Sequence, residues 1–126
     1  MENGKTILLV DDDADAREVN VLCLKSAGFR IVEAAHGDLA LARLAEGIPD
    51  AIITDLRMPM MNGLELARRL RKNAAYLDIP VGLLTGSPPH HVDDIGLFDE
   101  ILIKPSGFDD LLAMADRLTG HGTLHR

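Results

Sequence analysis

The chain alternates between short apolar runs and stretches with helical spacing, and this alternation constrains its fold more than any other feature. Five apolar runs cover residues 6–10, 30–34, 51–54, 81–84 and 101–103. The runs at 6–10 and 51–54 are almost entirely apolar, which is typical of strands covered on both faces. Because a helical pattern follows each run, the sequence predicts an α/β fold with a parallel sheet and helices on both sides.

Capping residues predict where three of the helices begin. We expect Asp13 to cap a first helix that reaches about residue 27. Asn62, followed three residues later by Glu65, has the spacing of a capping box for the helix that reaches residue 72. Ser106 and Asp109 have the same spacing, so we expect the last helix to begin at Ser106.

Apolar spacing predicts the buried sides of the first and last helices. In the first helix we expect the buried side to contain Val19, Leu22 and Cys23. In the last helix the buried residues are expected to be Phe108, Leu111, Leu112, Ala115 and Leu118.

Polar residues stand at the ends of four of the five predicted strands. They are Asp11-Asp12, Asp55, Thr85 and Lys104, in that order along the chain. In open α/β sheets, ligands bind in the crevice at the carboxyl ends of the strands. If these strand ends converge, three carboxylates, one hydroxyl and one ammonium group share a single crevice.

This set of side chains is sufficient for phosphoryl transfer onto a carboxylate. Three neighbouring carboxylates repel one another, and Mg²⁺, which prefers oxygen ligands, relieves that repulsion. Asp55 could act as a nucleophile and form an aspartyl phosphate. The metal ion and Lys104 would neutralise charge on the transferring group, and Thr85 could donate a hydrogen bond to one of its oxygens.

Composition limits the other classes of function. One cysteine in 126 residues allows no intrachain disulfide, and we expect a cytoplasmic protein. The net charge of −7 argues against a nucleic-acid partner, and no apolar run is long enough to cross a membrane. We expect one domain over residues 1–120 and a short polar tail over residues 121–126.

Four segments resemble the signatures of response-regulator receiver domains. They read ILLVDDD, IITDLRMPMMNGLEL, LLTGS and ILIKPS, and the resemblance spans residues 5–119, as in a single-domain regulator of the chemotaxis type. The resemblance implies a flavodoxin-like doubly wound fold with a five-stranded parallel sheet of order 2-1-3-4-5. It also implies a phosphorylation switch, rather than an enzyme that turns over an external substrate.

The resemblance further implies roles for individual residues. Asp55 would be the phosphoacceptor, with a histidine kinase or a histidine phosphotransfer protein as donor. Asp12 would bind Mg²⁺ directly, Asp11 would bind it through water, and the backbone carbonyl of Arg57 would be another ligand. Lys104 would contact the phosphoryl group and would precede a cis peptide bond. Output would come from binding an unknown downstream protein.

The chain departs from the commonest pattern of the family in its second half. Ile101 stands where many receivers carry an aromatic residue, and Gly86 stands where alanine is common. The segment between Thr85 and Lys104 is shorter than usual and contains Pro88-Pro89. We therefore expect a shortened fourth helix, roughly over residues 89–95.

Three other interpretations remain. A pseudo-receiver, acting as a phosphorylation-independent interaction module, would keep the fold but lack Mg²⁺ binding. A Mg²⁺-dependent phosphohydrolase would need a second acid near its nucleophile, but Arg57 stands two residues after Asp55. A flavin-binding protein would need a Ser-, Thr- and Gly-rich loop after the first strand, where this chain has three aspartates.

Overall fold

The computed structural model describes residues 4–120, in which strands and helices alternate as the sequence predicts. The elements are β1 (Thr6–Val10), α1 (Ala14–Ser26), β2 (Arg30–Ala34), α2 (Gly37–Glu46), β3 (Ala51–Asp55), α3 (Gly63–Arg71), β4 (Val81–Thr85), α4 (Val92–Ile95), β5 (Glu100–Ile103) and α5 (Phe108–Thr119). The predicted polar tail at 121–126 lies outside the described residues.

The five strands form one parallel sheet of order β2-β1-β3-β4-β5, which confirms the predicted order. The register places Val10 beside Thr54 and Asp55 beside Leu84. The carboxyl ends of β1, β3 and β4 therefore lie at one edge of the sheet. This is the edge at which the polar strand-end residues were expected to meet.

Helices cover both faces of the sheet, and each face has its own apolar cluster. Strand β1 illustrates the division, since Ile7 and Leu9 face α1 and α5 whereas Leu8 and Val10 face α2 and α3. All four side chains are at most 1% exposed. Burying an aliphatic side chain of this size stabilises the fold by about 1.5–3 kcal/mol.

Two of the three predicted helix starts are confirmed. Asp13 caps α1 by accepting hydrogen bonds from the backbone N–H groups of Asp15 and Ala16. Asn62 caps α3 by accepting from the N–H of Glu65 at 2.8 Å. The Glu65 carboxylate, however, is drawn to Arg69 at 3.1 Å rather than back toward the cap.

The predicted start of the last helix at Ser106 is wrong by one residue. Gly107 occupies the cap position, and its N–H donates to the Asp110 carboxylate at 3.3 Å. Phe108 is then the first helical residue and is 56% exposed, so its predicted burial is also wrong. Side chains in a helix point toward its N-terminus, so Phe108 projects past the end of α5, and the fully buried stripe starts at Leu111.

The predicted buried side of α1 is only partly correct. Cys23 is 8% exposed, but Val19 is 47% exposed and Leu22 is 63% exposed. The helix is instead buried through Val21, Cys23 and Leu24, which pack between the sheet and α5. Apolar residues occur on both sides of α1, so spacing alone did not identify the side that faces the core.

The fourth helix is shortened, as predicted, to the four residues of α4, although it begins three residues later than expected. Two backbone hydrogen bonds close it, from Ile95 N–H to His91 and from Gly96 N–H to Val92, each 3.0 Å long. Arg68 of α3 reaches Asp94 at 3.1 Å. No helix in residues 4–120 combines the length and the apolar content needed to cross a bilayer.

Arg71, at the end of α3, holds the connections on either side of β4. Its guanidinium donates to the backbone carbonyls of Leu77, Ile79 and Leu97 at 2.8, 2.9 and 3.1 Å. It also pairs with Asp99 at 3.0 Å, and the same Asp99 oxygen accepts from the Val81 N–H at 2.7 Å. This single side chain therefore ties the end of α3 to the segments before and after β4.

Candidate functional site

Three carboxylates converge at the carboxyl edge of the sheet. Asp11 follows β1, Asp12 is next to it, and Asp55 ends β3. One oxygen from each of these side chains lies within 4.8 Å of an oxygen from each of the others. Among residues 4–120 this is the acidic group with metal-binding spacing, and it is the group that the sequence predicted.

Asp11 is the buried member of the cluster, at 3% exposure. Its N–H donates to the Ala34 carbonyl at 3.1 Å, and its carboxylate accepts from the Asp13 N–H at 3.0 Å. Burial raises the pKa of the Asp11 carboxyl, and the negative charges of Asp55 and Asp12 raise it further, against the lowering effects of the Asp13 bond and of Lys104. The site therefore holds negative charge at an energetic cost when no cation is bound.

Asp55 is held by one contact to each of its carboxylate oxygens. Oδ1 accepts from the Leu56 N–H at 2.8 Å, and Oδ2 accepts from the Lys104 ammonium group at 3.2 Å. The Asp55 side chain is 16% exposed and that of Lys104 is 37% exposed. The carboxylate is thus fixed in direction yet accessible, as a nucleophile must be.

Thr85 ends β4 and is 2% exposed, so it lies at the same edge of the sheet. Its hydroxyl accepts from the Ser87 N–H at 3.1 Å and lies 3.2 Å from the Ser87 carbonyl. The predicted hydrogen bond to a transferred phosphoryl group therefore requires the hydroxyl to reorient.

The loop after β3 forms one wall of the site. Arg57 is exposed there and, with Asp12 and Pro89, lines an open groove of about 550 Å³. The groove is open to solvent and reaches the acidic cluster at Asp12. The Lys104-Pro105 peptide bond is cis, as the family resemblance implied.

Two residues that support the site were not singled out from the sequence. Gly63 begins α3, and a Cβ atom there would overlap the Asp55 carbonyl oxygen. Arg17 of α1 donates to the Asp11 carbonyl at 2.6 Å. A glycine directly after the Asn62 cap could have signalled that another part of the backbone passes close to the start of α3. The contact between Arg17 and the Asp11 carbonyl has no comparable signature in the sequence.

The family model for the response regulator receiver domain matches residues 7–116. This chain belongs to that family. The phosphate regulon transcriptional regulatory protein PhoB of Pseudomonas aeruginosa is 36% identical over 125 residues, which cover 94% of this chain and 55% of that protein. The chain spans about half the length of this and other curated relatives.

Solved structures of receiver domains superpose closely on this chain. The chemotaxis response regulator CheY4 of Vibrio cholerae is 30% identical with a TM-score of 0.83, covering 90% of this chain and 98% of that chain. The response regulator TrrA of Thermotoga maritima, solved in complex with Mg²⁺-BeF, is 34% identical with a TM-score of 0.81, at the same coverages. Receiver domains are signalling switches rather than enzymes that turn over an external substrate.

The donor set of this receiver domain fits Mg²⁺. The ion takes oxygen ligands at about 2.0–2.1 Å in octahedral geometry, so two oxygens bound to the same ion lie at most about 4.2 Å apart. The carboxylate oxygens of the acidic cluster lie within 4.8 Å of one another, which is a similar separation. The three carboxylates therefore supply oxygen ligands at a spacing that suits a Mg²⁺ ion.

Proposed function

We propose that this receiver domain accepts a phosphoryl group on Asp55 from a phosphohistidine donor in a Mg²⁺-dependent reaction. The observation that carries the proposal is the environment of the Asp55 carboxylate, which contacts Lys104 at 3.2 Å and lies within 4.8 Å of two further carboxylates. An acceptor needs this combination, because the nucleophile must be oriented while cations offset the charge that the phosphoryl group brings.

Four residues would hold the cation in this proposal. The carboxylates of Asp12 and Asp55 and the backbone carbonyl of Arg57 would bind it directly, and Asp11 would bind it through water. When bound, Mg²⁺ supplies positive charge beside the phosphoryl oxygens and lowers the repulsion between donor and acceptor.

The charges within the site support a requirement for the cation. Within the described part of the chain, Lys104 is the cationic side chain that pairs with the cluster of Asp11, Asp12 and Asp55. One ammonium group beside three carboxylates leaves an excess of negative charge, which would repel an incoming phosphoryl group. A divalent cation neutralises this excess.

The transfer step forms one bond and breaks one bond. An oxygen of Asp55 attacks phosphorus, the O–P bond forms, and the P–N bond of the donor breaks. The leaving imidazole nitrogen keeps the electron pair and takes a proton from solvent. Lys104, already beside Oδ2, then contacts a phosphoryl oxygen, and the Thr85 hydroxyl turns from Ser87 to donate to another.

The donor and the output follow from this role. We propose a histidine kinase or a histidine phosphotransfer protein as donor, self-dephosphorylation, and output through a downstream protein partner. This donor and the free thiol of Cys23 are both consistent with a cytoplasmic location. Nucleic-acid and membrane contacts have no part in the proposal.

The test is phosphorylation by acetyl phosphate with and without Mg²⁺, followed by intact mass. We expect the gain of one phosphoryl group with Mg²⁺ and no gain for Asp55→Asn. Asp50→Asn is a matched control at the other end of β3, where the carboxylate accepts only from the Thr6 N–H among its described contacts. This control should be phosphorylated like the wild type.

Two outcomes would contradict the proposal. Phosphorylation of the Asp55→Asn variant would place the acceptor elsewhere. No gain with any donor, together with no Mg²⁺ binding by calorimetry, would instead favour a phosphorylation-independent interaction module.

A further inference from the structure

Arg17 links three elements that meet at the acidic cluster. It lies in the first turn of α1, and its side chain is 19% exposed. Nη1 donates to the backbone carbonyl of Asp11 at 2.6 Å, and Nε donates to the Glu33 carboxylate on β2 at 3.1 Å. The guanidinium therefore connects α1 to the end of β1 and to the neighbouring strand.

With this contact, the backbone N–H, the backbone carbonyl and one carboxylate oxygen of Asp11 are all hydrogen-bonded. Its N–H donates to the Ala34 carbonyl, its carbonyl accepts from Arg17, and its carboxylate accepts from the Asp13 N–H. Hydrogen bonds from a charged donor are roughly twice as strong as those between neutral groups. The Arg17 bond is also the only one of the three that a single substitution can remove without changing the backbone or the acidic cluster.

The effect of Arg17 on the cluster is one of geometry more than of charge. The guanidinium is directed at the Asp11 peptide carbonyl, and its own charge is paired with Glu33. Arg17 is thus placed to set the path of the backbone at Asp11 and Asp12.

We propose that Arg17 is a positioning residue that holds Asp11 and Asp12 in the arrangement that binds the divalent cation. The inference rests on the proposed function, because it concerns the same cation site. Residues behind metal ligands orient those ligands, and their removal commonly weakens metal binding by about 10- to 100-fold. Glu33, in turn, keeps the guanidinium in position.

The test is a calorimetric titration of folded protein with Mg²⁺, combined with thermal melting. For Arg17→Met we expect the Kd for Mg²⁺ to rise about tenfold. Acetyl phosphate should still phosphorylate this variant when Mg²⁺ is saturating, because Asp55 and Lys104 are untouched. Arg17→Lys should show a smaller rise, since one ammonium group cannot match the two directed bonds of the guanidinium.

Arg43→Met is the matched control. Arg43 on α2 also donates to Glu33, but to its backbone carbonyl, at 3.1 Å. This variant removes an arginine that contacts the same strand residue without contacting Asp11, so its Kd for Mg²⁺ should equal that of the wild type. A lower melting temperature without a change in Kd would mark a purely structural role for an arginine.

The outcomes separate this inference from the proposed function. If Arg17→Met and Arg17→Lys bind Mg²⁺ as tightly as the wild type, Arg17 does not position the site. The same conclusion holds if Arg43→Met weakens binding equally. If the wild type itself binds no Mg²⁺, the proposed function fails, and the inference fails with it.

Discussion

Replacing Gly63 by alanine tests how tightly the acceptor strand and α3 are packed. A Cβ atom at this position would overlap the Asp55 carbonyl oxygen and would lie 3.2 Å from the Asp55 carbonyl carbon and from Leu56 Cα. All three atoms belong to the backbone, so no side-chain rotation can make room. Helix α3 would have to move away from the residue that we propose as phosphoacceptor.

The expected cost follows from two opposing terms. Overpacking a well-packed site costs typically about 1–3 kcal/mol, of which we take about 2 kcal/mol. The lower entropy of the unfolded alanine chain returns about 0.7 kcal/mol. The free energy of unfolding should therefore fall by about 1.3 kcal/mol. For 126 residues at about 2.1 cal/mol/K per residue, the entropy of unfolding is about 0.26 kcal/mol/K, so Tm should fall by about 5 °C.

The assay is thermal melting by circular dichroism, with Gly47→Ala as the matched control. Gly47 has extended backbone, with φ 169°, and no other atom lies within 4 Å of the position that a methyl group would take there. Alanine at this position should raise Tm by about 3 °C, because only the unfolded-state term acts. If Gly63→Ala melts at or above the wild-type temperature, the packing argument is refuted.

Three further changes test other parts of the structure. Arg71→Met should lower the free energy of unfolding by about 2–4 kcal/mol, because three backbone carbonyls and Asp99 lose their charged donor. Urea denaturation measures this change, and an unchanged midpoint of the urea transition would contradict it. Lys104→Met should slow phosphorylation by acetyl phosphate about a hundredfold while Mg²⁺ binding persists, measured by mass and calorimetry. Because the pKa of Asp11 is raised above its ordinary 3.8 in the fold, the stability that this carboxyl contributes is fully present below that value and is lost as pH rises through the raised pKa. Asp11→Asn should therefore raise Tm at neutral pH without Mg²⁺, lose this advantage below about pH 3.8, and be stabilised less by Mg²⁺ than the wild type is.

The sequence was sufficient to predict the sheet and the position of the acidic cluster, for a physical reason. Strand-end residues of a parallel sheet share one edge whatever the details of the connecting loops. Asp11, Asp12, Asp55 and Lys104 could therefore be placed together from the strand assignments alone. The order of the strands was given by the family resemblance, since apolar runs do not specify their neighbours.

Contacts that depend on side-chain direction or on packing could not be read from the sequence. The Thr85 hydroxyl turns to Ser87 because a backbone N–H two residues away offers a local partner. Phe108 had the spacing of a core residue, yet it is exposed because the helix begins one residue later than expected. The ion pair between Arg17 and Glu33 joins residues that are brought together only when β2 pairs with β1.

The single turn of α4 contributes little to the stability of its side of the domain. A lone helical turn is not stable by itself, because nucleation fixes several residues for one or two hydrogen bonds. The turn is held to α3 by the partly exposed pair of Arg68 and Asp94, and such a pair is worth about 1 kcal/mol or less. The segment is therefore kept in place mainly by the residues that follow the turn, through the bond from Arg71 to the Leu97 carbonyl and the burial of Phe98.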